Sequence, residues 1–214
     1  MEITIVKLKQ LVDGLLGWVR QDIKDNIATP EKSWLYLTFS DVALDNMNFY
    51  QQLYELIYTR KVDDSRRLLS RLMFDRDRAN LPTIHVNYPT EEGRSGDNTL
   101  GMNHKVELIN EMFVNYYGRS YTGQYELIIT GSSSIEVVIL YEFMDALLMA
   151  ASDTLANNFD KFEFSGKQLM TNPEIIPHLI FFRSITISIQ DRKTVRSIAQ
   201  PKPVLGVDFN PTYK

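Results

Sequence analysis

The stretch YELIITGSSSIEVVILYEFMDALLMAASDTLANN, Tyr125 to Asn158, limits the fold more than any other because it runs a strand directly into the longest apolar helix. Tyr125, Leu127 and Ile129 alternate with Glu126, Ile128 and Thr130, the two-residue period of a strand. Gly131 and three serines then break that period, and a helix is expected to start there. Ser133 followed three residues later by Glu136 forms a capping box. In that motif the serine hydroxyl accepts from a free helical N–H and the glutamate returns to the serine's own N–H.

Beyond the cap, Val137, Leu140, Tyr141, Met144, Leu147, Leu148, Ala151 and Leu155 follow helical spacing and define a face that covers a sheet. A second set, Ile139, Phe143, Ala146 and Ala150, runs down another side. Glu136, Glu142, Asp145 and Asp153 leave only a narrow solvated strip. A helix apolar most of the way round needs more than one neighbour, here either the amino-terminal helix or another subunit.

A chain of 214 residues buries a substantial core, most simply as one domain. It has no cysteine, which excludes disulfides, thiolate nucleophiles and cysteine-ligated metals. The start, MEITIVKLKQ, has no basic segment ahead of a short apolar one, so no signal peptide is expected. Nothing approaches the roughly 18 uninterrupted apolar residues of a membrane span. A formal charge of −4 argues against general binding to a nucleic-acid backbone.

Residues 3–27 place Ile5, Leu8, Leu11, Val12, Leu15, Leu16, Val19 and Ile23 at helical spacing, ending before Pro30. Gly14 and Gly17 cost this helix about 1 kcal/mol each, so docking must hold it, and both permit close approach of another backbone. Trp34 to Phe39 reads as a short strand. Asn48 to Thr59, rich in tyrosine, fits either a helix or a hairpin. Asp63 to Arg78 is expected to be a helix with Leu68, Leu69, Leu72 and Met73 on one face. Residues 60–78 carry seven basic side chains against four aspartates, a local charge of +3 in an acidic chain. Arg66, Arg67, Arg71 and Arg78 are therefore a candidate basic patch for phosphate or an acidic partner, although a solvated helix face is the commoner use of such a run.

After Leu81-Pro82, Thr83 to Tyr88 resumes as a strand, with His85 on its more polar face. Residues 89–103, PTEEGRSGDNTLGMN, form a glycine-rich loop of the kind that carries function. Val106 to Tyr117 alternates again, and Gly118 to Gly123 is expected to turn the chain into the Tyr125 strand, giving a long antiparallel hairpin. Phe159 to Phe164 is a short strand. Leu179 to Gln190 is an amphipathic strand with Ile185, Ile187 and Ile189 inward and Ser184, Thr186 and Ser188 outward. Thr194 to Ile198 pairs back on it through a turn at Asp191-Arg192-Lys193. The last stretch, PKPVLGVDFNPTYK, has three prolines and no period, which suits an extended arm.

Chemistry is sparse. His85, His104 and His178 are scattered, with no HExxH spacing for zinc. Gly131-Ser132-Ser133-Ser134-Ile135 lacks the second glycine of a nucleophile elbow, and capping already explains Ser133. Asp75 and Asp77 are two apart and face apart on a helix. No phosphate-loop spacing occurs. The residues point to a protein that is not an enzyme and takes no metal or cofactor.

The succession LPTIHVNYPTEEG, a polar glycine-containing loop, YYGRSYTGQYELIITGSSSIEVVILYEFMDALL, FEFSGKQLM and PEIIPHLIFFRSITISI resembles tailed-bacteriophage head-to-tail connector proteins of the neck or tail-terminator type, from about Leu81 to Ile198. That resemblance implies an α+β fold, a mostly antiparallel sheet with a long central helix, to which this chain adds an amino-terminal helical region. It implies a virion structural protein, assembled in the host cytoplasm, that forms a ring of six or twelve copies, meets neck, portal-adaptor or tail-tube proteins and passes DNA through its centre without a membrane partner. The corresponding organisation is 1–80 as a helical and irregular region packed on the core, 81–199 as the connector-like core, and 200–214 as a carboxy-terminal arm. The subunit interface is then expected at Tyr116, Tyr125, Ile139, Phe143, Ala146 and Ala150. Contacts with adjoining rings are expected at Gly93, Arg94, Gly96, Pro201, Pro203 and Phe209. The alternative, from another class, is a non-catalytic adaptor that binds an acidic protein through the Arg66–Arg78 helix.

Overall fold

The computed structural model describes residues 4–44, 46–59, 67–72, 81–93, 105–109, 112–159, 161–167 and 180–196. The chain is α+β. Helix α1 (Thr4–Asp25) is followed by a single 3-10 turn, Pro30–Lys32, and by α2 (Trp34–Phe39). A two-residue ladder, β1 (Ala43–Leu44) with β2 (Met47–Asn48), leads into α3 (Phe49–Tyr54), which widens into a π turn over Glu55–Thr59. Then come β3 (Leu69–Leu72), β4 (Thr83–Gly93), β5 (Lys105–Ile109), β6 (Met112–Gly131), α4 (Ser134–Ala150), α5 (Ser152–Asn158), β7 (Lys161–Lys167) and β8 (Phe181–Arg196).

The main sheet runs β3-β4-β6-β8-β7, with β5 also paired to β6. Among the described residues only β3 and β4 are parallel; the other pairs are antiparallel. Both β4 and β5 pair with β6, Gly93 facing Tyr121 and Lys105 facing Tyr116. The antiparallel pairing is therefore that of β4 and β5 against β6, not the expected hairpin that turned at Gly118 to Gly123. Residues 112–131 form a single strand, and Gly123 has another reason to lack a side chain: a Cβ there would stand 2.7 Å from the Tyr125 ring. Nor does the chain turn at Asp191–Lys193, where β8 continues along β6 until Arg196 faces Tyr116. Residues 89–93, expected in a loop, prolong β4.

One sheet face carries Ile84, Val86, Tyr125, Leu127, Ile129, Ile185, Ile187 and Ile189, all in the core. Helix α1 lies over β3 and β4, and α4 lies over β6 and β8. Leu8, Val12, Leu16, Val19 and Ile23 of α1 join Leu140, Phe143, Met144 and Leu147 of α4 in one cluster, which Leu35, Phe39, Leu53, Leu56 and Ile57 complete. The core thus crosses residue 80 without interruption. On the opposite face Ser184 is fully buried rather than outward, as are Thr83 and, nearly so, His85.

Two segments take the other kind of structure from the one their sequence suggests. Trp34 to Phe39 is a helix, because Ser33 caps it by accepting from Tyr36 N at 3.3 Å and because Leu35 and Phe39, four apart, both enter the core. Leu69–Leu72 is a strand, because the free edge of β4 offers its backbone a partner, with Leu69 facing Thr83 and Leu72 facing Val86. The tyrosine-rich segment is a helix, and Tyr50, Tyr54 and Tyr58 succeed one another along it at ring separations of 5.8 and 5.5 Å.

At the strand-to-helix corner the cap is as expected on one side only. Ser133 Oγ accepts from Glu136 N at 3.1 Å, but the Glu136 carboxylate accepts from Ser132, at 2.6 Å from its N and 2.8 Å from its Oγ. Gly131 permits this corner, since a Cβ would lie 2.8 Å from Val137 Cγ2.

Candidate functional site

Among the described residues no three His, Cys, Asp or Glu side chains come together where they would hold a metal ion. Ser132 and Ser133 are spent on the helix cap, and His85 is buried within the sheet. His104, His178, Asp75 and Asp77 lie outside the described residues. What the geometry offers is surface shape.

The first such feature is the reach of the sheet. Helix α4 has 17 residues and spans about 26 Å at 1.5 Å per residue. It starts beside the end of β6 and folds back along it, so it covers about eight strand residues at 3.3 Å each. Helix α1 extends the cover to Tyr121, whose hydroxyl meets that of Thr4. From Met112 to Ser120, about 30 Å of β6 therefore continues past the helical layer, accompanied by β5 and by the end of β8. A sheet extension of this length has no apolar helix beneath it within the described chain.

The second is a groove between α1 and the α4–α5 junction. One part, about 270 Å³, is lined by Leu15, Trp18, Leu147, Ala150, Ala151 and Thr154. The next, about 340 Å³, adds Lys7, Gln10, Leu11, Gly14 and Asn158 and shares Leu15 and Thr154. Trp18 is 48% exposed at the groove, and Met149, beside Ala150 on α4, is 54% exposed. A Cβ on either Gly14 or Gly17 would meet nothing within 4 Å, so neither glycine is required by packing inside the chain.

The expected interface residues occupy different environments. Ile139, Phe143 and Tyr125 are core residues of the single chain. Phe143 meets Trp34 at 6.3 Å and Phe39 at 6.4 Å between ring centres, so α2 touches this side of α4, and α3 packs on α4 as well. Tyr125 stacks on Tyr88 at 4.8 Å, and burial, then Tyr121, raises its pKa above the usual tyrosine value. Ala150 is exposed in the groove and Ala146 is partly buried. Tyr116 lies in the sheet extension, its backbone facing Lys105 and Arg196. Gly93 ends β4; Arg94, Gly96, Pro201, Pro203 and Phe209 lie outside the described residues, as do Arg66 and Arg78 of the basic patch. Arg67 and Arg71 are described, Arg71 on β3 rather than on a helix.

Sequence patterning overlooked Trp18, Leu15 and Thr154 as groove residues. The signal present was Gly14 and Gly17 beside Trp18 on the polar side of an amphipathic helix, where neither small nor large apolar residues are expected. No helix among the described residues is long and apolar enough to cross a membrane. No protein-family model and no curated protein matches the chain.

Proposed function

We propose that this protein is a virion structural protein, a subunit of a neck or tail-terminator ring that joins a phage head to its tail and leaves a channel for DNA. The observation that carries the reading is the sheet extension. A strand, β6, that outruns the helical layer by about 30 Å, paired there with β5 and with the end of β8, spends backbone order where no helix among the described residues covers it, which suits a strand platform laid against a neighbouring subunit. The groove beside Trp18 and Ala150 supplies a second contact, and two different patches on one subunit are what a closed ring of identical copies requires. The connector resemblance of residues 81–198 points the same way, and the acidic balance suits a conduit that must not grip DNA. Assembly in the host cytoplasm and incorporation into the virion belong to the same proposal.

The adaptor alternative depended on a helix through Arg66–Arg78, and Leu69–Leu72 is a strand within the sheet. Removing residues 105–116 tests the ring reading. The shortened chain is expected to keep its melting temperature within a few degrees and to lose ring formation in electron micrographs. Rings that form normally without the extension would reject its role.

A further inference from the structure

Tyr36 of α2 and Tyr50, Tyr54 and Tyr58 of α3 and its π turn form one ladder of rings. Their centres stand 5.0, 5.8 and 5.5 Å apart in that order. All four are partly exposed, and among the described residues no hydrogen bond takes up any of their hydroxyls. Tyrosines with an accessible apolar ring and an unused donor are characteristic of binding surfaces. Leu37, 71% exposed, lies on α2, and Val42 and Met47, also exposed, lie on the connection to α3. Residues 33–59 hold three acidic side chains, Asp41, Asp45 and Glu55, and no basic one. A segment that suits this strip is stiff, apolar in its side chains, rich in hydrogen-bond acceptors and basic.

The chain itself contains such a segment. Residues 192–207 carry Arg192, Lys193, Arg196 and Lys202 with no acidic side chain, and include Pro201-Lys202-Pro203. Proline favours the polyproline II form, whose carbonyls are free of internal hydrogen bonds and whose residues rise about 3.1 Å each. Two prolines two residues apart are then about 6 Å apart, close to one step of the ladder. Aromatic strips bind such segments through the proline rings.

We propose that the tyrosine ladder of one copy holds the Pro201–Pro203 segment of a second copy. Reach decides between the chain's own ladder and a neighbour's. Leu68 N donates to Leu56 O at 3.2 Å, so the π turn lies beside the entry to β3, level with Thr83 and Thr130. Arg196 instead faces Tyr116, and from Thr130 to Tyr116 β6 runs about 46 Å. Even fully extended, the chain from Arg196 to Pro203 covers at most about 25 Å. The segment therefore falls short of its own ladder. The contact needs two copies rather than a closed ring, although a head-to-tail contact of this kind is also what a ring of identical copies is built from.

The test is calorimetric titration of a synthetic peptide of residues 196–207 into the full chain carrying Pro201→Ala and Pro203→Ala, whose own segment then does not compete. Saturable binding of one peptide per chain is expected, weaker at high salt because opposite charges meet. A peptide with both prolines replaced by alanine should bind about ten-fold more weakly. Tyr54→Ala in the chain should weaken the unaltered peptide by about thirty-fold, and Tyr54→Phe, which keeps the ring and loses the hydroxyl, by about three- to ten-fold. The alanine peptide leaves the protein untouched, so the proposal stays refutable should Tyr54→Ala fail to fold. No saturable heat with the unaltered peptide would overturn it, as would equal binding of the two peptides. Electron micrographs of the intact chain keep the ring reading separate. Rings beside a peptide that does not bind remove this contact and leave the ring; bound peptide without rings keeps the contact and removes the ring.

Discussion

Phe143→Ala separates a core residue from an interface residue. Phe143 is fully buried within one chain, with the rings of Trp34 and Phe39 of α2 against it. Truncation removes a ring and leaves a cavity walled by Trp34 and Phe39, which relax only in part. The loss expected for such a site is about 3–5 kcal/mol. In a domain of this length that lowers the melting temperature by about 6–20 °C. Urea unfolding followed by tryptophan fluorescence is a direct assay, because Trp34 touches the altered site and Trp18 lies 5.8 Å from Trp34. The midpoint should fall with the slope unchanged, and the loss should be the same at low and high protein concentration. A loss below about 1 kcal/mol, well short of a core truncation, accompanied by failed assembly would refute the reasoning and move Phe143 to a contact between subunits.

Gly14→Ala and Gly17→Ala should each stabilise the isolated chain by about 1 kcal/mol, since both sites are helical and open; if neighbouring subunits approach there, the same changes weaken assembly, which a dilution series measures. Ser133→Ala should cost about 1 kcal/mol in denaturant unfolding through the lost N-cap, whereas Ser133→Thr should cost less. Tyr125 favours its neutral form in the folded chain, so its contribution is whole below pH 10.0 and falls as pH rises toward the raised value. Stability measured from pH 9 upward should therefore decline, and Tyr125→Phe should make that decline shallower.

The central passage was legible because three signals agreed: an alternating strand, a glycine corner and a capped apolar helix from Ser134. The α1 stripe was legible for the same reason, since Leu8, Val12, Leu16, Val19 and Ile23 repeat over about four turns. Short segments were not. Over six residues Trp34 to Phe39 satisfies either period, and the deciding facts are tertiary: a cap from Ser33 and a core site beside Phe143. Leu68 to Leu72 has helical spacing, but an edge of β4 captures it. Gly118, Gly123 and Asp191-Arg192-Lys193 look like turns because polar and glycine residues usually end strands. Here they lie at or beyond the edge of the helical layer, where a strand is carried by backbone pairing and needs no apolar alternation.

The candidate surfaces were only partly foreseeable. Ala150 could be taken from the second face of α4, but the burial of Phe143 involves α2, which docks from a segment that reads as a strand. Arg20 reaches segments far from it in sequence, donating to the carbonyls of Ile57 and Leu68, and nothing in the local pattern of α1 announces those partners.

The most direct measurement of the ring reading is the mass of the intact purified chain across a wide concentration range, by native mass spectrometry with electron micrographs of the same samples. The account predicts closed rings of one copy number, which Trp18→Glu in the groove returns to folded single chains. A single-chain mass at every concentration, with no closed ring in any image, would contradict it.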